Sequence, residues 1–175
     1  MALAEKFFLH AAELLEDRDD FFRWRWQMVL FRAHGELALA RGWREEAWKF
    51  ASESFDLAST TVSCKHIARA QWLQGEILAA SGRLDEAAAT LDTSARLAKK
   101  IRTPRETWMA RAALGRVLSK QGKDTKAEQS FVKGRGRNPE AFLEALHARL
   151  RQNFLCAEPV RDIYKAAGQS VPNPN

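Results

Sequence analysis

Few side chains in this sequence are equipped to act as nucleophiles, bases or metal ligands, and they are scattered. The histidines are His10, His34, His66 and His147, and the thiols are Cys64 and Cys156. None belongs to an HExxH pattern or to a Cys/His cluster with metal-ligand spacing. Cys64 and His66 come nearest to a catalytic pair. Two residues apart on a helix they project in different directions, so a buried thiol is the expectation there. Gly134-Arg135-Gly136-Arg137 lacks the Lys-Ser/Thr ending of a phosphate loop. The acid pairs Glu45-Glu46 and Asp85-Glu86 open helices, where negative charge is favourable. The sequence therefore predicts no catalytic residue, no metal site and no cofactor. Its chemistry is that of recognition.

Charge is the next candidate for function. The chain carries a net +6 over 175 residues, unevenly spread. Residues 1–60 hold 8 Lys/Arg and 11 Asp/Glu, so the rest is strongly basic. Lys99, Lys100 and Arg102 lie near one loop with Arg105, and Lys133, Arg135 and Arg137 lie near another. Brought to one edge by stacking, they would make a strip able to contact phosphates, which defines a nucleic-acid-associated alternative. Elsewhere the charges alternate with acids at helical spacing, as on a solvated surface. No apolar run approaches the roughly 20 residues of a membrane span. The first twenty residues have neither the basic segment nor the cleavage site of a secretory signal, and two distant cysteines suit a reducing cytoplasm.

The elements that must position these residues announce themselves by repetition. Gly35, Gly75 and Gly115 stand forty residues apart, as do Gly42, Gly82 and Gly122, and Ala47, Ala87 and Ala127. A glycine inside a helix costs about 1 kcal/mol relative to alanine. The first glycine column therefore implies close helix packing, with the alanines as the small residues facing it. The second column falls where the chain turns between antiparallel helices and a left-handed backbone is needed. Each unit reads as a long helix A, a glycine turn and a helix B. One such pair cannot bury its apolar side alone, so the units must stack.

The boundaries follow. A flanking helix occupies 1–20, with an acidic break at Asp17 to Asp20. Repeat 1 covers 21–60, repeat 2 covers 61–102 and repeat 3 covers 103–137. Thr103-Pro104-Arg105-Glu106 reads as a capping box opening helix A of repeat 3, with proline in its first turn. Lys133 to Arg137 reads as a basic loop. Residues 138–168 hold two closing helices, one from Asn138-Pro139 to about Asn153 and one from Pro159 to Ala167, stopped by Gly168. Residues 169–175, with two prolines and no core residue, read as a disordered tail. The fold class is all-α, in one helical repeat domain.

Over residues 28–134 this pattern resembles the tetratricopeptide repeat. The matching columns are Gly35/Gly75/Gly115, Gly42/Gly82/Gly122, Ala47/Ala87/Ala127, Ala51/Leu91/Phe131 and the small column Ser54/Ser94/Gly134. The forty-residue period exceeds the usual 34, and His34 and Gln74 replace the usual Leu before the first glycine. The resemblance implies helix pairs stacked as a right-handed α-solenoid whose A helices line a concave groove. Its matching groove positions here are Arg32, Glu36, Arg69, Trp72, Glu76, Met109 and Arg116. It implies a non-enzymatic scaffold binding a peptide or protein segment, with Trp72 and Met109 as apolar anchors and the charged residues setting orientation. Glu36 stands where a known carboxylate-gripping subtype has Asn, so that clamp is not expected. Long repeats of this kind are similar to those of bacterial signalling and transcription regulators, and Asn153-Phe154-Leu155 with Pro159-Val160-Arg161 is similar to a tail closing such arrays. The chain then reads as the sensor part of a regulator. The aromatic stretch Phe21 to Phe31 and an uncovered first helix also admit a homodimer.

Overall fold

The structure, a computed structural model, describes residues 2–16, 23–135, 155–156, 158–166, 168 and 170. Among them the chain forms eight helices and no strand. These are α1 (Ala2–Glu16), α2 (Arg23–Ala40), α3 (Arg44–Thr60), α4 (Cys64–Ala80), α5 (Leu84–Lys100), α6 (Pro104–Lys120), α7 (Asp124–Arg135) and α8 (Glu158–Ala166). The predicted helix from 138 to 153, the acidic break at 17–20, Arg137 and nearly all of the 169–175 tail lie outside the described residues.

From α3 to α6 every helix is 17 residues long, and they begin at residues 44, 64, 84 and 104. One turn, used five times, sets this regularity. Its central residue is Gly42, Val62, Gly82, Arg102 or Gly122, each left-handed, with φ from +52° to +79°. The residue after it donates its N–H to the carbonyl five positions back. Trp43 reaches Ala38 at 2.9 Å, Ser63 reaches Ala58 at 2.8 Å and Thr103 reaches Ala98 at 3.0 Å. This geometry satisfies carbonyls that a helix end leaves open. The backbone thus repeats every helix, while the glycines mark only alternate turns.

The capping box does not form at the start of α6. Pro104 occupies the first turn as expected, but Thr103 makes no side-chain cap bond. Its hydroxyl donates to the Ala98 carbonyl at 3.1 Å, and the Glu106 carboxylate turns to Arg69. Both capping groups are drawn to neighbouring helices. The basic loop expected at Lys133 is also revised, since α7 stays helical to Arg135. Gly134 is buried there, and a Cβ on it would meet Arg111 Cβ at 3.1 Å and Ile163 Cδ1 of α8 at 3.3 Å. A small residue lets the helix continue under α8. Gly168, φ +65°, follows the last helix as expected.

The mid-helix glycines permit close approach, at Gly75 and Gly115 against a different residue from the one expected, while a Cβ on Gly35 would meet the carbonyl of the expected Ala47 at 3.3 Å. A Cβ on Gly75 would fall 2.5 Å from Leu91 Cγ, and one on Gly115 2.5 Å from Phe131 Cζ. The facing column is therefore the large apolar one, while Ala87 and Ala127 are buried beside it. Repeat 1 has only Ala51 in that column. Leu73 of α4 fills the gap, its Cδ2 2.8 Å from where a Gly35 Cβ would sit.

Three apolar clusters form the core. One gathers Ala38, Ala47, Ala51, Leu73 and Ile77. The next gathers Leu78, Ala87, Leu91, Ala113, Leu114 and Val117, and the third joins Ala112, Ala127 and Phe131 to Ile163 of α8. Buried hydroxyls tie helix B to helix A between them: Ser54 donates to the Met28 carbonyl at 3.2 Å and Ser94 to the Ala68 carbonyl at 2.7 Å. His34, in place of a leucine, stacks between Phe8 of α1 (5.2 Å) and Phe50 of α3 (5.0 Å). Each helix from α1 to α7 packs on the next, and α2 also packs on α4 and α4 on α6. The A helices α2, α4 and α6 therefore form a layer of their own, and on that layer the candidate site lies.

Candidate functional site

Arg32 of α2, Arg69 and Trp72 of α4 and Met109 of α6 line one pocket, together with Ala68, Arg105 and Glu106. Three helices far apart in sequence meet there because each A helix turns the same face to the layer. The space between them is narrow, about 10 Å³ open to a water-sized sphere, room for a single small polar atom group rather than a drug-sized molecule.

The charged residues expected to orient a partner are already engaged with one another. Arg32 ion-pairs with Glu36 one turn along α2. Arg69 Nε donates to Glu106 Oε1 at 2.8 Å, across from α4 to α6. Arg116 donates to Glu76 at 2.7 Å and to Asp162 of α8 at 3.2 Å. Seven groove residues read from the sequence thus divide into two groups. Arg32, Arg69, Trp72 and Met109 meet in the pocket, with Glu36 tied to Arg32. Glu76 and Arg116 belong to a second cluster, closed by α8. Glu106 and Asp162 were missed, and the sequence reading places Arg105 only in the basic strip. Glu106 carried a competing local reading as a capping residue, and no local pattern links Asp162 to a residue 46 positions earlier.

Two donors at the pocket are buried without an acceptor among the described residues: Trp72 Nε1 and Arg32 Nε. A buried N–H without a partner is costly, and a bound carbonyl or carboxylate would relieve it. Trp72 has a second task. Its ring packs against both the Leu73 and the Leu91 clusters, so it is part wall and part core.

Beside the pocket sits His66, with its Nδ1 3.1 Å from the Ser63 hydroxyl. Burial holds its imidazole below the usual range, and the cations of Arg69, Arg25, Lys65 and Arg32 push the same way. Cys64 is half-buried and Cys156 exposed, both as free thiols. Among the described residues no three His, Cys, Asp or Glu side chains converge on a metal site, and no helix is long and apolar enough to cross a membrane.

Of the residues assigned to the nucleic-acid alternative, Lys99 and Lys100 lie in the last turn of α5 and Arg102 in the turn that follows. Lys133 and Arg135 lie in the last turns of α7. Because α5 and α7 run the same way, these residues share one edge of the array. At its other end, α1 leaves Leu3, Phe7 and Leu14 exposed along one side, and Trp26 of α2 is 58% exposed. Compared with known proteins, the sequence matches no family model and no curated protein.

Proposed function

We propose that this chain is a tetratricopeptide-like, non-enzymatic scaffold, stacked as a right-handed solenoid, which holds a peptide or protein segment against helices α2, α4 and α6. The observation that carries this reading is the shared pocket. Arg32, Arg69, Trp72 and Met109, named as groove residues by the repeat register, come from three helices and line the same cavity. Packing of α2 on α4 and α4 on α6 supports a curved array with the A helices inside. A carbonyl or carboxylate oxygen of the partner enters beside Met109, and the Trp72 and Arg32 N–H groups, which have no acceptor among the described residues, bind it. The paired arginines fix the walls in advance, which lowers the ordering cost of binding. In a cytoplasmic regulator such a groove serves as the sensor part.

Selection of binding peptides from a random displayed library, followed by calorimetry, tests the proposal. The selected peptides should bind the natural chain, and Met109→Glu should raise Kd at least tenfold with an unchanged melting temperature. Peptides that bind both chains equally would remove the groove from the site.

A further inference from the structure

The two edges of the helical array differ in charge, and the difference runs against helix electrostatics. One edge is formed by residues 23–26, 57–67, 97–107 and 131–135, where B helices end and A helices begin; it holds nine Lys/Arg and one carboxylate, Glu106, and the end of α1 beside it adds Glu13 and Glu16. The opposite edge, residues 37–47, 77–87 and 117–127, holds six Lys/Arg and five carboxylates.

Cations at the end of α5, Lys99 and Lys100, complement the negative end of a helix dipole and need no further reason. Those at the starts of A helices do. α2 begins with Arg23 and Arg25 and no acid in its first turn, and α4 begins with Lys65 and no acid. α6 begins with Arg105, 64% exposed, beside a Glu106 that Arg69 has already claimed. The B helices on the other edge obey the dipole, opening with Glu45 and Glu46, Asp85 and Glu86, and Asp124. The same chain therefore caps helices correctly on one edge and places positive charge on positive helix ends on the other. Arg25, Lys65, Lys99, Lys100 and Arg102 are exposed and form no ion pair with any described residue. An external anion along this edge would offset the cost of this arrangement.

We infer that this basic edge binds the sugar–phosphate backbone of a nucleic acid. Its cations sit at successive helix ends along one edge of the array, an order suited to a linear polyanion. Arginines at 23, 25, 102 and 105 supply planar donors suited to phosphate, and exposed Trp26 beside Arg25 offers a ring for an unpaired base. The affinity would come from counterion release and would not read sequence. This surface meets the A-helix pocket at Arg105, which lines both, while Lys99, Lys100 and Arg102 lie outside the pocket.

The test is fluorescence anisotropy of a labelled 20-nucleotide single strand with the full chain, from about 50 to 300 mM salt. Two triple variants remove equal charge: Lys99→Ala, Lys100→Ala and Arg102→Gly on the basic edge, and Lys120→Ala, Lys123→Ala and Lys126→Ala on the other. Circular dichroism confirms that both fold. The expected result is steeply salt-dependent binding, weakened at least tenfold by the first triple and less than threefold by the second. Loss of three contacts should also flatten the log–log salt slope by about 2. Absence of binding at the lowest salt overturns the inference, as does equal weakening by both triples. Competition by polyglutamate or by phosphatidylserine vesicles as strong as that by unlabelled oligonucleotide overturns it in favour of an acidic protein or a lipid surface.

Discussion

Arg69 and Glu106 bind α4 to α6 through a nearly buried ion pair, with the Glu106 side chain only 5% exposed and Arg69 Nε 2.8 Å from its Oε1. Burial alone would raise the Glu106 carboxyl. The Arg69 hydrogen bond, a bond from its own backbone N–H and the Arg69 and Lys65 charges together outweigh burial and hold it below the usual range. A carboxyl lowered on folding contributes stability that is present above its unfolded pKa and is lost as pH falls through the folded value. Glu106→Gln should therefore lower stability at pH 7 by about 1–3 kcal/mol. It should also flatten the loss of melting temperature below about pH 4.5, the unshifted value. Melting curves from pH 3 to 7 on both chains measure this; parallel acid limbs would show that Glu106 titrates unperturbed.

His66 gives the complementary test at higher pH. Its folded form favours the neutral ring, first through burial and then through the surrounding cations. The unfolded chain binds the proton more readily, so stability is full above about pH 6.5 and falls as pH drops toward the lower folded value. Arg25→Ala should raise the His66 titration midpoint seen by NMR, and His66→Gln should remove part of the slope below pH 6.5. A midpoint unmoved by Arg25→Ala would mean that this cation does not reach the ring.

Val62 holds a turn position that glycine holds elsewhere, with φ +52° and its side chain 75% exposed. A left-handed L-residue costs roughly 1–2 kcal/mol, and β-branching worsens it. Glycine would remove that strain at the cost of a more flexible unfolded chain, about 0.5–1 kcal/mol. No packing is lost. Val62→Gly should raise stability by about 0.5–1 kcal/mol, a rise of about 1–4 °C in Tm; a fall would show that the turn is unstrained.

Gly75 and Leu91 should behave as one unit. Alanine at 75 would place a Cβ 2.5 Å from Leu91 Cγ, an overpacking that costs about 1–3 kcal/mol. Leu91→Ala alone opens a cavity. Combined, the alanine side chain occupies part of the vacated space, so the double variant should be more stable than the sum of the single losses by about 1 kcal/mol or more. Additive losses in denaturant melts would mean that α4 and α5 simply move apart.

How far the sequence reached follows from which interactions are local. Gly42, Gly82 and Gly122 were legible as turns because a left-handed residue is cheap only for glycine. Val62 and Arg102 adopt the same conformation without that mark, so a backbone that repeats every helix looked like one that repeats every second helix. The glycine column was read as a contact with Ala87 and Ala127, yet the distances assign the contact to Leu91 and Phe131, one turn on. Helix periodicity tells which face is buried and not which neighbour in a column is nearest. At the site, the register named Arg32, Arg69, Trp72 and Met109, and these four line one pocket. It did not reveal that Glu106 and Asp162 neutralise the arginines, because those partners lie 37 and 46 residues away and obey no repeat.

Trp72 is where the two roles of the groove can be separated. From the sequence alone, Trp72→Ala would weaken binding and spare the fold. The structure argues otherwise, since the ring packs against two core clusters while its Nε1 is buried without an acceptor among the described residues. Trp72→Ala should therefore cost stability as well, about 2–4 kcal/mol for a partly buried aromatic. Trp72→Phe keeps most of the packing and removes the solitary donor. Its melting temperature should stay close to that of the natural chain, because the lost N–H had no acceptor to lose. Its affinity for selected peptides should drop about five- to tenfold, the worth of one hydrogen bond. If Trp72→Phe binds those peptides as tightly as the natural chain, the indole N–H takes no part, and recognition falls to Met109 and the arginines alone.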